Sequence, residues 1–162
     1  MKILSALILI SGLLILGACK PATTIYLVRH AEKVDSSRDP DLSEAGRLRA
    51  THLADLLKDE KISLIYSTNY KRTIQTATPL SELTGKPILY YSPDTLPSLV
   101  KALKQQQQHV LVVGHSNTTI SMLDAFGLSF SGKKIEESDY NNLFKISTYP
   151  NNGKIKFKEL KF

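Results

Sequence analysis

Four side chains in this sequence place positive charge and imidazole nitrogens beside the ends of predicted strands. Arg29 and His30 directly follow an apolar run that is typical of a buried strand, and His115 follows another. Arg72 lies in the first turns of a helix that is predicted after a third such run. Because the carboxyl ends of parallel strands meet at one edge of a sheet, we expect these side chains to lie close together.

Two guanidiniums and two imidazoles near helix N-termini would form an anion site, and the planar Arg fork matches phosphate oxygens in pairs. The alternative is that these residues are only the polar ends of structural strands. That alternative would bury several cations without partners at one edge, which is costly. The four residues therefore predict a phosphate site.

The elements that must position this site alternate along the chain between strand and helix patterns. Strands are predicted at 24–29, 64–66, 87–91 and 109–113, and a hairpin is predicted from 143–148 and 154–160. Helices are predicted from Ser43 to about Lys58, from about 67–69 to Gly85, from about Thr95, and from Thr119 to Phe126.

This alternation predicts a three-layer α/β/α sandwich with a mostly parallel central sheet and an antiparallel C-terminal hairpin. Two details complete the prediction. Pro79 is expected to kink or divide the second helix, and 128–141 is expected to be a polar connection.

The composition indicates one folded domain with a sizeable core, since 42% of the 162 residues are hydrophobic. The net charge is +6, and part of that excess lies near the C-terminus, where lysines alternate with Ile155 and Phe157. This alternation is typical of an edge strand that is protected from pairing by lysine. No nucleic-acid motif is present, so no nucleic-acid partner is expected, and the sequence gives no oligomeric state.

The N-terminal segment is typical of a bacterial secretion signal rather than of a membrane-spanning helix. Lys2 precedes an apolar run at 3–16, which as a helix would rise about 21 Å against a bilayer core of about 30 Å. The run closes with Leu-Gly-Ala-Cys at 16–19, which resembles a lipobox. We therefore expect a signal peptide at 1–18, a tether at 19–23 that is lipidated at Cys19, and one domain at 24–162. An ordinary signal peptide with a chance cysteine and an uncleaved anchor are the alternatives.

Three segments resemble successive motifs of the histidine phosphatase superfamily, the phosphoglycerate-mutase-like proteins. They are RHAE at 29–32, STNYKRTIQTA at 67–77 and GHSNT at 114–118. The resemblance implies the phosphoglycerate-mutase-like fold and a phosphorylated small-molecule substrate. It also implies that His30 is the nucleophile and forms a phosphohistidine. Arg29, Arg72 and His115 would then hold the phosphoryl oxygens.

The chain departs from the family pattern where a proton donor is expected. Larger members carry a general-acid glutamate in an insertion after the third strand, and here that insertion is absent. Asp94, at the end of that strand, and Glu32, close to the nucleophile, are the candidate acids. Asp94 is equally well explained as a helix N-cap. No clustered ligand set and no His-Glu-x-x-His motif is present, so neither a metal nor a cofactor is expected.

The sequence therefore predicts a metal-independent hydrolase of phosphomonoesters or phosphoramidates, anchored by lipid on the extracytoplasmic face of a membrane or in the periplasm. Because the acid is missing, a lipoprotein that binds or senses a phosphorylated ligand without turnover is the alternative. A mutase ranks third, because it would have to retain the phosphoryl group and return it.

Overall fold

The computed structural model describes residues 23–132, 134–149 and 152–162. Its strands are β1 (Thr23–Arg29), β2 (Ile62–Ser67), β3 (Ile88–Tyr90), β4 (His109–Gly114), β5 (Asn142–Tyr149) and β6 (Lys154–Lys161). Its helices are α1 (Glu44–Leu57), α2 (Lys71–Thr84), α3 (Leu96–Gln105) and α4 (Ser116–Ala125), and a short 3₁₀ turn, Pro93–Thr95, precedes α3.

These strands form one sheet in the order β3-β2-β4-β1-β5-β6. Strands β1 to β4 pair in parallel, while β5 is antiparallel to both β1 and β6. The predicted parallel sheet with an antiparallel hairpin at its end is therefore confirmed. The strand β6 is the predicted edge strand, and its lysines at 154, 156 and 158 are exposed.

Both faces of the sheet are covered because successive side chains of the central strands point to opposite sides. In β1, Ile25 and Leu27 pack in one apolar cluster with α3 and α4, whereas Tyr26 and Val28 pack in another with α1 and α2. The run at 110–113 in β4 is fully buried, as expected for a strand between two helical layers. The fold is thus the predicted three-layer α/β/α sandwich.

Two helices differ from the prediction. Helix α2 runs through Pro79 without interruption, so the expected division does not occur. Ala77 and Leu80, on either side of Pro79, are buried against the sheet, and this packing outweighs the hydrogen bond that proline cannot donate. Helix α4 begins at Ser116, three residues before the predicted start. The reason is that the Thr118 hydroxyl accepts the His115 backbone N–H at 2.8 Å and caps the first turn.

The predicted signal peptide and the predicted lipidation site at Cys19 lie outside the described residues. The tether predicted at 19–23 is described only at Thr23, which already belongs to β1. Within the part of the chain that the structure describes, no helix is long and apolar enough to span a bilayer.

Candidate active site

The pairing of β1 with β4 places the two predicted catalytic histidines side by side. Arg29 is the register partner of Gly114, and the backbone N–H of His30 donates to the Gly114 carbonyl at 2.9 Å. The next residue along β4 is His115, so both imidazoles emerge at the carboxyl edge of the sheet. Their ring centroids lie 5.5 Å apart in an edge-to-face arrangement.

His30 is buried and held in one tautomer. Its Nδ1 lies 2.8 Å from the Ala31 carbonyl oxygen, which can only accept, so Nδ1 carries the proton and Nε2 has a free lone pair. Burial, together with the charges of Arg29 and Arg72 and the His115 ring, lowers the pKa of His30 to about 3 against the opposing effect of the Ala31 carbonyl. A neutral imidazole with a free Nε2 is a nucleophile near neutral pH.

Helix α2 holds the backbone that carries His30. The Ala31 N–H donates to Thr76 Oγ1 at 3.0 Å, and the same hydroxyl donates to the Arg72 carbonyl at 2.7 Å. These bonds connect the end of β1 to the first turns of α2. The position of His30 therefore depends on the helix that also carries Arg72.

Arg29 is 3% exposed and is bound by the connection between α4 and β5. Its Nη1 donates to the Glu136 carbonyl at 2.7 Å, and its Nη2 donates to Glu137 Oε2 at 3.0 Å. The guanidinium also lies over the Tyr140 ring, 4.6 Å from its centroid. A segment more than 100 residues away in sequence thus fixes this cation at the site.

Arg72 and His115 form a second pair in the site. Arg72 Nη2 lies 3.3 Å from His115 Nδ1, and since a guanidinium can only donate, Nδ1 is the acceptor. The proton of neutral His115 is therefore on Nε2, which lies 2.9 Å from Thr68 Oγ1. Arg72 also lies over the Tyr70 ring, 4.6 Å from its centroid.

The pKa of His115 is lowered to about 4 by burial and by the charges of Arg72 and Arg29, with Asp39 acting in the opposite direction. His115 is therefore neutral when the site holds no anion. If an anion bound in the site, its negative charge would favour the protonated form of His115, in which both ring nitrogens donate hydrogen bonds.

All four predicted residues line one open hollow of about 310 Å³. The N-terminal turn of α4 contributes Ser116, Asn117 and Thr118 to its wall, so the free N–H groups of a helix face the same region. The remaining lining residues are Lys33, Tyr70, Pro93 and Glu137. This arrangement of cations, N–H donors and a free imidazole nitrogen suits a phosphoryl group, and the catalytic roles of the four residues stay predictions.

The two candidate acids lie elsewhere. Both Glu32 oxygens accept from Arg49, with distances of 2.7 to 2.9 Å. Burial of Glu32 opposes its ionisation, but the Arg49 hydrogen bonds outweigh it and lower the pKa of this carboxyl. Asp94 is exposed and does not line the hollow, although its neighbour Pro93 does. The N-cap of its 3₁₀ turn is Ser92, so Asp94 is not the N-cap that the sequence suggested.

Sequence reasoning missed the residues of the site that come from the 128–141 connection and from Tyr70. The connection has no apolar periodicity, and its one fully buried apolar side chain is Ile135, which is 2% exposed. The isolated apolar residues Leu128, Phe130 and Ile135 within this polar segment were the available sign that the connection packs against the fold. In the described ranges, no group of three or more His, Cys, Asp or Glu side chains is arranged to hold a metal ion.

A family model described as the histidine phosphatase superfamily (branch 1) matches residues 25–92, which include most of β1, His30, and the elements from α1 to β3. Over these residues the chain is similar to the histidine phosphatase superfamily. The chain is 42% identical over 65 residues to phosphoserine phosphatase 1 of Hydrogenobacter thermophilus. The matched segment covers 36% of this chain and 31% of the relative. The match thus spans about a third of that relative's length.

Solved structures of two phosphatases share the fold over most of the chain. A mycobacterial glucosyl-3-phosphoglycerate phosphatase superposes with a TM-score of 0.68 at 15% identity, covering 86% of this chain and 99% of the other. The protein histidine phosphatase SixA, solved with tungstate, gives 0.67 at 15% identity, covering 86% and 97%. At these identities the superpositions establish the fold alone.

Proposed function

We propose that this protein belongs to the histidine phosphatase superfamily and hydrolyses a phosphomonoester or a phosphoramidate through a phosphohistidine on His30. One observation carries the proposal. The free Nε2 of a neutral His30 lies in the same hollow as Arg29, Arg72 and His115. Few arrangements other than a phosphoryl site bring two guanidiniums and a helix N-terminus around one unprotonated imidazole nitrogen.

The reaction follows from this geometry in two displacements. In the first, Nε2 of His30 attacks phosphorus, the bond from phosphorus to the leaving group breaks, and the leaving group takes up a proton. In the second, water attacks the phosphohistidine and releases inorganic phosphate. Arg29, Arg72 and the N-terminus of α4 hold the charge on the equatorial oxygens, since phosphoryl transfer depends chiefly on positioning and charge stabilisation.

The test uses the protein that begins at Lys20 and a generic aryl phosphate, with a chelator and no added metal. We expect phosphate release from the wild type and its loss in His30→Ala. A histidine on the exposed face of α1 provides the matched control, because His52→Ala removes the same side chain away from the hollow. Full activity in His30→Ala would refute the mechanism, and activity that requires added metal would refute its metal independence.

The substrate class rests on the size and polarity of the site and on the names of similar proteins. The hollow is open and lined mainly by polar side chains, which suits a small phosphorylated molecule. One relative is a phosphoserine phosphatase and one structural neighbour is a protein histidine phosphatase. A panel containing phosphoserine, phosphohistidine, sugar phosphates and nucleotides would separate phosphomonoesters from phosphoramidates.

The second candidate function is binding of a phosphorylated ligand without turnover. It is favoured by one observation: neither Asp94 nor Glu32 faces the hollow with a free carboxyl group. Binding of inorganic phosphate or tungstate, without a labelled phosphohistidine and without turnover across the panel, would support this function over hydrolysis.

We also propose that the mature protein is held at the extracytoplasmic face of a membrane through lipid on Cys19. The support is the sequence pattern at 1–19 alone. One acyl chain binds membranes weakly and several bind firmly, so lipidation would retain the domain at the surface. Cys19→Ser should abolish acyl labelling and release the protein from membranes. Persistent acyl labelling would contradict the proposal.

A further inference from the structure

A second hollow of about 380 Å³ adjoins the one that contains His30. The two share three lining residues, which are Ser116, Asn117 and Glu137. The floor of the second hollow includes Ile120 and the buried Ile135, so it is more apolar than the first. A substrate with its phosphoryl group beside His30 could therefore extend its leaving group into the second hollow.

Glu137 lies where the two hollows meet. Among the residues that the structure shows lining the first hollow, it is the one carboxylate. Its Oε2 lies 3.0 Å from Arg29 Nη2 and 3.9 Å from Lys33 Nζ. The side chain is 75% exposed and the surrounding segment is a connection without regular structure, so the carboxylate has room to turn away from Arg29.

We propose that Glu137 is the general acid that protonates the leaving group, an inference that rests on the proposed phosphatase function. The two carboxylates predicted from the sequence are poorly placed for this task. Glu32 is held by Arg49, and Asp94 does not line the hollow. Glu137 occupies the boundary between the phosphoryl group and the leaving group, which is where the bond between them breaks.

Substrate binding itself would prepare this acid. A phosphoryl oxygen that binds Arg29 Nη2 takes the place of the Glu137 carboxyl group, which is then free to turn towards the leaving group. Glu137 then donates its proton to the bridging atom as the bond to phosphorus breaks and the bond to His30 Nε2 forms. In the second displacement the Glu137 carboxylate takes a proton from the attacking water as its oxygen bonds to phosphorus. The bond from phosphorus to His30 Nε2 then breaks, which releases inorganic phosphate and restores the protonated Glu137 and the neutral His30.

A different role for Glu137 is to hold Arg29 in place without exchanging a proton. The two roles differ in how the loss of activity depends on the leaving group. A proton donor matters for a basic alkoxide leaving group and little for an acidic phenol, whereas misplacing Arg29 weakens transition-state binding for every substrate.

The experiment compares an aryl phosphate with an alkyl phosphate on the full chain purified in detergent. Glu137→Gln keeps the size of the side chain and an oxygen for Arg29 but carries no acidic proton. We expect kcat/KM of this variant to fall about 100- to 1000-fold for the alkyl phosphate and less than about 3-fold for the aryl phosphate. Glu44→Gln is the matched control, because Glu44 is exposed on α1 and lines neither hollow.

The outcomes separate the two proposals. Equal losses on both substrates, or no loss on either, would overturn the role of Glu137 while His30-dependent turnover remained. A selective loss in Asp94→Asn instead of Glu137→Gln would transfer the role to Asp94 and also overturn it. Absence of His30-dependent turnover in the wild type would overturn the proposed function together with this inference.

Discussion

The two buried histidines should make the stability of this protein fall steeply between neutral and mildly acid pH. His30 and His115 are neutral in the folded protein, with pKa values lowered to about 3 and about 4. In the unfolded chain each would return to a pKa of about 6.5 and take up a proton as the pH falls. The unfolded state then binds more protons than the folded state, so acid favours unfolding.

The size of the effect follows from these pKa values. Each histidine contributes stability that is fully present above its unfolded pKa and is lost as the pH falls below it. Between about pH 7.5 and about pH 5, each should lower the free energy of unfolding by about 2 kcal/mol, or about 4 kcal/mol together. Carboxyl groups with lowered pKa values, such as Glu32, contribute their losses mainly at still lower pH, so the histidines dominate this range.

The assay is urea unfolding followed by circular dichroism across this pH range, in buffers free of phosphate. Phosphate-free buffers are needed because an anion in the site would favour protonated His115. The comparison is the wild type against His30→Gln and His115→Gln, each of which removes one titrating ring. In each variant, the free energy of unfolding should change with pH about half as much as in the wild type, whatever the variant's stability at neutral pH.

If the free energy of unfolding of the wild type fell by less than about 1 kcal/mol over this pH range, the reasoning would be refuted. The histidines would then titrate alike in the folded and unfolded states. A wild-type pH dependence that persisted in both glutamine variants would also refute it. In that case other groups would cause the loss, and the neutral state assigned to His30 would lose its support.

Three further predictions concern the site and the backbone around it. Arg72→Ala should lower kcat/KM about 100- to 1000-fold, because one well-aimed donor to the phosphoryl oxygens is worth this much, and unchanged kinetics would remove its role. Tungstate binding at about pH 6 should be accompanied by the uptake of close to one proton on His115. Calorimetry in buffers of different ionisation enthalpy measures this uptake, which should be absent in His115→Gln. Gly46→Ala should lower the melting temperature, because its new Cβ would overlap the Glu32 carbonyl oxygen, and an unchanged melting temperature would contradict that contact.

Much of the framework of the site could be predicted, because buried strands have a clear apolar pattern and parallel strands end at the same edge of a sheet. The apolar runs that precede Arg29 and His115 have the pattern of buried strands, and β1 and β4 are in fact adjacent and parallel. Parallel strands bring their carboxyl ends to the same edge, so the two histidines meet without any knowledge of the loops. Arg72 joins them because α2 begins directly after the neighbouring strand β2.

The contribution of Glu136, Glu137 and Tyr140 could not be predicted in the same way. These residues lie in a polar connection with neither helical nor strand periodicity, and they contact Arg29 across 107 or more positions. Such a contact depends on how the connection packs against the sheet, and local sequence patterns do not predict this packing. The proposed proton donor, Glu137, could not be predicted for the same reason, because it lies in this connection.

The start of α4 and the continuity of α2 show where tertiary structure outweighs local preference. The residues after β4 have weak helix preference, yet the helix begins at once because the Thr118 hydroxyl caps it. Pro79 is a helix breaker by preference, yet the buried residues beside it keep α2 whole.

The hydrogen bond from the His30 amide to the Gly114 carbonyl divides the site into two parts with different opening energies. That bond extends the ladder between two central, fully buried strands, so the His30 amide should exchange with deuterium only through large-scale unfolding. The amides of 134–140 belong to a connection outside the ladder and should exchange through local opening. We therefore expect His30 to belong to the most protected unit of the fold, and the groups that contact Arg29 to belong to a unit that opens on its own.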